Sequence, residues 1–280
     1  MKAVSHLPLP DGGRMPVLGQ GTWELGEHAS RFASEASALS AGIDLGMTLI
    51  DTAEMYGDGR AERLVGEVIA GRRDKVFLVS KVLPSNASRQ GVVAACERSL
   101  GRLRTDRLDL YLLHWQGSHP LAETVAGFER LVRDGKIVRW GVSNLDLCAL
   151  QALHQVPGGA ACQTDQVLYN LTRRGIEADL LPWAHESGMP LMAYSPLERG
   201  GMLSHPVLQR VAQRHGASPA ELALAWVLRH PGVVAIPKAA SMHHVESNRA
   251  ALEVRLTDTD LQELDRAFPA PRRPVPLEMI

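Results

Sequence analysis

Cysteine is scarce in this chain: Cys96, Cys148 and Cys162 are the only three among 280 residues, and no CxxC pair occurs. That excludes a disulfide framework and suits a reducing cytosol. No apolar run approaches the length of a membrane span. The opening MKAVSHLPLPDGG lacks the apolar stretch of a signal peptide. A cytoplasmic location and no membrane partner are therefore expected. An excess of basic charge is missing too, since 30 Lys and Arg face 31 Asp and Glu for a net charge of −1. That balance argues against nucleic acid as a partner. Metal-ligand spacing is absent: His243 and His244 are adjacent, not at i, i+4, and His114 and His119 have no carboxylate or thiol cluster beside them. The triplets Asn86-Ala-Ser88 and Asn170-Leu-Thr172 read as chance. No Pro/Gly/Ser-rich linker divides the middle, so residues 1–280 read as one domain.

What is present is a hydrophobic fraction of 45% arranged in alternation. Short apolar runs (VLGQGT, MTLID, VFLVSK, LDLYLLH, IVRWGVSN, CQTDQVLYN, PLMAYS and VVAIPK) alternate with segments of helical spacing such as AERLVGEVIAG, QGVVAACERSLGRL and ETVAGFERLVRDGK. Ser218-Pro219-Ala220-Glu221 predicts a capping box with proline in the first turn, and Thr257 to Asp260 opens the last helix similarly. Eight βα units of this length make about 250 residues, the size of a (β/α)8 barrel. LPLPDGGRMPVLG, with a polar turn between apolar flanks, predicts a β-hairpin before the first barrel strand. A doubly wound open sheet would need a Gly-rich dinucleotide turn. Gly19-Gln20-Gly21 and Gly57-Asp58-Gly59 each lack the third glycine, which favours the closed barrel.

Four polar residues stand where apolar runs end. Asp51 closes TLID, Lys81 closes VFLVSK, His114 closes LDLYLLH, and Tyr56 follows Asp51 in its loop. Strand C-termini form the mouth of a parallel barrel, where such folds do their chemistry. A phenol with a pKa near 10 holds a proton at neutral pH, and a neighbouring ammonium is expected to lower that value. Asp51 would keep Lys81 charged and aimed. His114 would hydrogen-bond a carbonyl oxygen. Each residue alone has a plainer explanation as a loop charge, a half-buried aromatic or a core histidine. The four together describe equipment for protonating a carbonyl oxygen as hydride reaches its carbon.

LIDTAEMYGDGRAERLVGEVI, VFLVSK, LDLYLLHW, GKIVRWGVSN, AYSPL and AIPK follow one another along nearly the whole chain. In these motifs the sequence resembles the aldo-keto reductases, most of all small bacterial members that reduce methylglyoxal and related aldehydes. The resemblance implies a (β/α)8 barrel that binds NADPH, with Asp51, Tyr56, Lys81 and His114 as the catalytic tetrad. It implies that Ser143, Asn144 and Gln166 bind the nicotinamide carboxamide and that Tyr194 stacks on the ring. It assigns the cofactor diphosphate to Ser195, Pro196, Leu197, Gly200 and Gly201, and adds Thr22, Trp23 and Asp51 to the cofactor side. Ile236, Pro237 and Lys238 lead to a helix near Met242, with Ser241, His244 and Asn248, as the implied 2′-phosphate site. Ala239 and His244 stand where the family usually has a hydroxyl and an arginine. Fewer fixed donors weaken the expected preference for NADP(H) over NAD(H). Trp23, Met55, Tyr56, His114 and Trp115 would line the substrate side. The short segment QGSHPLAE and the short tail PAPRRPVPLEMI suggest an open pocket for a small carbonyl compound, worked on by a monomer. Two other functions compete: a Schiff-base lyase using Lys81 as nucleophile, and a cofactor-binding regulatory subunit with negligible turnover.

Overall fold

The structure is a computed structural model that describes residues 3–280. Met1 and Lys2, which open the expected domain and the leader MKAVSHLPLPDGG, lie outside the described residues. The first two strands, β1 (His6–Pro8) and β2 (Arg14–Pro16), pair antiparallel as the predicted hairpin. Eight strands follow: β3 (Gly19–Gly21), β4 (Leu49–Asp51), β5 (Phe77–Val82), β6 (Leu110–Leu113), β7 (Trp140–Ser143), β8 (Asp165–Leu168), β9 (Leu191–Tyr194) and β10 (Val233–Ala235). They pair in parallel, in sequence order. The ring closes where Ala235 N–H donates to Val17 O at 2.9 Å and Gly21 N–H donates to Pro237 O at 3.0 Å. Gly21 is needed at that seam, because a Cβ there would meet the Ile236 carbonyl oxygen at 2.8 Å. The expected (β/α)8 barrel with its leading hairpin is the observed fold.

Ten α-helices surround it among the described residues: α1 (Ala29–Asp44), α2 (Arg60–Val68), α3 (Arg89–Leu103), α4 (Leu121–Arg133), α5 (Leu147–Gln155), α6 (Leu180–Glu186), α7 (Pro206–Arg214), α8 (Pro219–Val227), α9 (Met242–Ala250) and α10 (Asp258–Ala267). The capping boxes of α8 and α10 form as predicted, each with both reciprocal bonds. Regular strands are shorter than the apolar runs that predicted them. VVAIPK, for example, contributes three residues, with a single bridge from Gly21 to Lys238 beyond. Strands of a closed barrel are tilted to its axis and staggered in register, which leaves their ends only partly paired.

Side-chain alternation then places the site. Inside the barrel Leu49, Val79, Leu110, Leu112, Met192, Val234 and Ile236 form one small core, joined from the hairpin by Leu9 and Met15. The alternate residues, such as Ile50, Leu78, Tyr111, Leu113 and Ala193, join the core shared with the helices. A strand side chain repeats its face every second residue. Counting from Leu49, Val79, Leu112 and Met192, the next inward positions are Asp51, Lys81, His114 and Tyr194. The hairpin supplies apolar filling to the barrel core, and the polar residues gather at the opposite rim.

Candidate active site

The structure brings Asp51, Tyr56, Lys81 and His114 together. Lys81 is fully buried and donates three hydrogen bonds: to Asp51 Oδ2 at 2.7 Å, to the Thr52 carbonyl at 3.0 Å and to Tyr56 Oη at 3.1 Å. An ammonium has three N–H groups and no acceptor, so its capacity is used up. The Tyr56 oxygen must accept in that contact. Its own O–H is therefore directed elsewhere. The His114 ring lies edge-on to Tyr56 with centroids 5.8 Å apart, and the Trp115 ring is 4.9 Å from His114.

Burial works against the Lys81 charge, but Asp51 and then Tyr56 outweigh it, and the lysine pKa stands above its ordinary value. For Tyr56 the balance differs from the sequence expectation. Burial raises the phenol pKa, Lys81 pulls it down and Asp51 pushes it up, and the net shift is upward. The expected lowering by Lys81 is thus corrected: the cation limits a rise that burial causes. His114 is pushed down to about 2 by burial and by the Lys81 charge, so its ring is neutral at working pH. Its Nδ1 is buried without a partner among the described residues. A neutral imidazole still offers one N–H donor.

The implied cofactor residues form a second network around the first. Thr22 N–H and Oγ1 both donate to the Asp51 carbonyl, at 3.0 and 2.9 Å. Gln166 Nε2 donates to Asp51 Oδ1 at 2.7 Å, so both Asp51 carboxylate oxygens are held. Ser143 Oγ donates to the Gln166 carbonyl at 2.7 Å. Asn144, at φ 60°, donates to the His114 carbonyl at 3.1 Å and accepts from Tyr194 Oη at 2.9 Å. The Tyr194 ring is half-buried at the rim. Ser195, Pro196, Leu197, Gly200 and Gly201 lie in the loop just beyond it, over which Arg199 sets its guanidinium 4.2 Å above the Trp23 ring.

Across the seam, Ile236 and Pro237 are buried and Lys238 reaches Glu24 at 3.6 Å. Ser241 caps α9 by accepting from the His244 N–H at 3.4 Å. His244 is exposed and Asn248 buried on the same short helix. On the substrate side Met55 is 41% exposed, whereas Trp23 and Trp115 are half-buried. Sequence reasoning missed four participants: Thr52, Glu54, Asn170 and Arg199. Glu54, buried, accepts from Leu83 N–H at 2.8 Å and Asn86 Nδ2 at 2.9 Å, tying the Tyr56 loop to the end of the Lys81 strand. Asn170 carried the same signal as Asp51, a polar residue just beyond an apolar run.

The model of the Aldo/keto reductase family matches residues 17–268. The chain belongs to this family. As an aldo/keto reductase, it is 56% identical over 271 residues to "Methylglyoxal reductase YeaE" of Escherichia coli (strain K12), a match covering 95% of each chain. It is 33% identical to "Glyoxal reductase" of Bacillus subtilis (strain 168), over 92% of this chain and 90% of that one. A crystal structure of an aldo-keto reductase from Klebsiella pneumoniae in complex with NADPH superposes with a TM-score of 0.97, at 50% identity and full coverage of both chains. Another from the same organism, in complex with NADP and acetate, gives 0.96 at 51% identity, covering 98% of this chain and 99% of that one.

Proposed function

We propose that this aldo/keto reductase reduces small aldehydes and ketones of the methylglyoxal type to alcohols, using NADPH. One observation carries the reading: Lys81 spends its three protons on Asp51, Thr52 and Tyr56, which leaves the Tyr56 proton free to be donated beside His114. When bound, NADPH supplies the hydride. The chain's own residues do the rest. Neutral His114 donates a hydrogen bond to the substrate carbonyl oxygen and fixes its place. Tyr56 transfers its proton to that oxygen as general acid. Lys81 stabilises the phenolate left behind, and Asp51 keeps Lys81 charged. The raised Tyr56 pKa suits this direction, since the phenol is fully protonated at neutral pH.

The residues present fit the cofactor. Tyr194 offers a half-buried ring at the rim, Ser143, Asn144 and Gln166 cluster beside it, and the loop from Ser195 to Gly201 carries a half-buried Gly200 and an exposed Gly201. Lys238, just beyond β10, and Ser241, the N-cap of α9, would meet the 2′-phosphate, with His244 and Asn248 beside them. The Klebsiella relatives' complexes with NADP and NADPH support the choice of cofactor, and the name of the Escherichia coli relative supports the substrate class. The exposed Met55, and α4 beginning at Leu121 soon after Trp115, support an open substrate side formed with Trp23, Tyr56 and His114. A lyase using Lys81 is disfavoured, because its raised pKa keeps the amine protonated. One domain over 1–280, acting as a cytoplasmic monomer, completes the proposal. Its three free cysteines support a reducing compartment, and no helix among the described residues is long and apolar enough to cross a membrane.

The test is NADPH oxidation against a panel of methylglyoxal, nitrobenzaldehyde, aldose sugars and steroid ketones, compared by kcat/KM. The small reactive aldehydes should lead. A clear win for a steroid would refute the open pocket, and no turnover with any carbonyl would leave the non-catalytic subunit as the better account.

A further inference from the structure

The loop after β9 holds an unusual backbone. Ser195, Glu198 and Arg199 lie at φ 46°, 46° and 51°, a region that side chains other than glycine rarely adopt. Such a conformation persists only when surrounding contacts over-determine it. Those contacts come from the end of β8. Asn170 is fully buried, and its Nδ2 donates to the Ser195 carbonyl at 2.9 Å and to Glu198 Oε2 at 2.7 Å. Its Oδ1 accepts from Thr172 N–H at 2.9 Å, Thr172 Oγ1 at 2.8 Å and Arg173 N–H at 3.0 Å. These three donors fix the amide orientation, so both N–H groups face the loop. Arg173 Nε then donates to the second Glu198 oxygen at 2.9 Å, and its other end pairs with Glu278 in the tail at 2.6 Å. Glu198 is therefore gripped on both oxygens. The next residue, Arg199, reaches across to the Trp23 ring.

We propose that Asn170 is a positioning residue for the cofactor. Through Ser195 and Glu198 it holds the loop in the one backbone form that presents Leu197, Gly200 and Gly201 to the cofactor diphosphate. Arg173 extends the same grip to the tail through Glu278. The inference rests on the proposal that residues 195–201 are the cofactor loop. None of the Asn170 hydrogen bonds goes to Asp51, Tyr56, Lys81 or His114. Its effect therefore falls on how tightly and how long NADPH is held, and not on proton transfer.

Asn170→Asp is the informative substitution. It preserves shape and the three accepted bonds, but sets a carboxylate oxygen against the Glu198 carboxylate and the Ser195 carbonyl. NADPH titrated into the purified full-length protein, followed by fluorescence, should give a Kd raised about ten- to hundredfold, in line with the loss of a hydrogen bond to a charged group. NADPH release in stopped flow should quicken by a similar factor, and the KM for NADPH should rise by a larger factor than any change in kcat. The double variant Asn170→Asp/Glu198→Gln restores a donor opposite the new carboxylate and should recover most of the affinity, which a merely structural role for Asn170 would not. Glu198→Ala breaks the same grip from the half-buried loop side and should raise Kd likewise, whether or not the Asn170 variant folds. Gly200→Val distorts the loop at φ 87° without touching Asn170. If Gly200→Val leaves the NADPH Kd unchanged, residues 195–201 are not the cofactor loop and the proposal falls with that reading. If Gly200→Val weakens NADPH while Glu198→Ala does not, or the double variant shows no recovery, the loop stands and the positioning role of Asn170 is overturned.

Discussion

Replacing Asp51 by Asn should make stability rise with pH over a range where Lys81 in the wild type contributes no slope. Lys81 is fully buried, and the Asp51 carboxylate 2.7 Å from its Nζ is what holds its pKa up against burial. A group whose folded pKa is raised contributes stability that is complete below the unfolded value. That contribution is lost only as pH rises through the folded value. For lysine the unfolded value is about 10.4, so wild-type Lys81 makes no slope between pH ~7 and ~9. In Asp51→Asn the charge partner is gone and burial decides. The folded pKa then drops below the unfolded one. Folding at pH ~7 must now either tolerate a lone buried ammonium or release its proton. Releasing it costs at most about 1.4 kcal/mol for each of the roughly three and a half pH units below the reference pKa, which is close to 5 kcal/mol. Breaking a buried ion pair by removing one partner costs about 3–5 kcal/mol, in the same range. Raising the pH removes the proton in the unfolded chain as well, so the variant should regain about 1.4 kcal/mol per unit between pH ~8 and ~10. Urea unfolding at four pH values over that range, on wild type and variant, measures both the loss and the slope. A variant whose deficit is the same at every pH would refute the claim that Asp51 sustains a buried ammonium.

Tyr56→Phe keeps the ring but deletes the proton donor; carbonyl reduction should fall by about 10²–10⁴, with NADPH affinity by fluorescence unchanged, and retained activity would remove Tyr56 as the acid. Asp165 is fully buried on the strand face of Val167, toward the helix layer, and burial lifts its pKa well above the usual value despite the Leu145 and Gln166 backbone amides, which act to lower it. The folded state therefore holds a proton that the unfolded chain loses above about pH 4, and wild-type stability declines as pH rises. Asp165→Asn should be more stable at neutral pH by at least about 1.4 kcal/mol, one pKa unit's worth, and an advantage as large at pH ~4 as at pH ~8 would contradict this. His244→Arg should increase the preference for NADPH over NADH, read as the ratio of their dissociation constants, because the planar guanidinium offers a phosphate five N–H donors in a fork where an imidazole offers at most two; an unchanged ratio would place position 244 outside the cofactor site.

Much of the barrel was legible because strands and helices write different periods into a sequence. Asp51, Lys81 and His114 stood out for a related reason: each interrupts an apolar run at its end, and the same inward parity that buries Leu49, Val79 and Leu112 carries them to the rim. The hairpin was visible in its Asp-Gly-Gly turn, and two helix starts in their capping boxes. The C-terminal tail, equally open to being a loose Pro-rich end, instead pairs Glu278 with Arg173 and lays Leu277 against the core.

The partners of these groups were not legible, because they come from strands far apart in the chain. Gln166 lies 115 residues from the Asp51 oxygen it donates to. Nothing in CQTDQVLYN says that its amide meets that carboxylate as well as facing the cofactor side. The Tyr56 pKa shows the limit most sharply. Its direction depends on a contest between burial and a cation, and the motif DTAEMY names the cation's partner but says nothing of the dielectric around the phenol. The contest goes to burial here because Lys81 does not act alone. Its charge is largely answered by Asp51, whose own charge pushes the phenol pKa up. The pair that steadies the lysine therefore reduces its pull on the tyrosine. The site gains a firmly protonated acid, with the ammonium kept close enough to receive the phenolate once the proton has left.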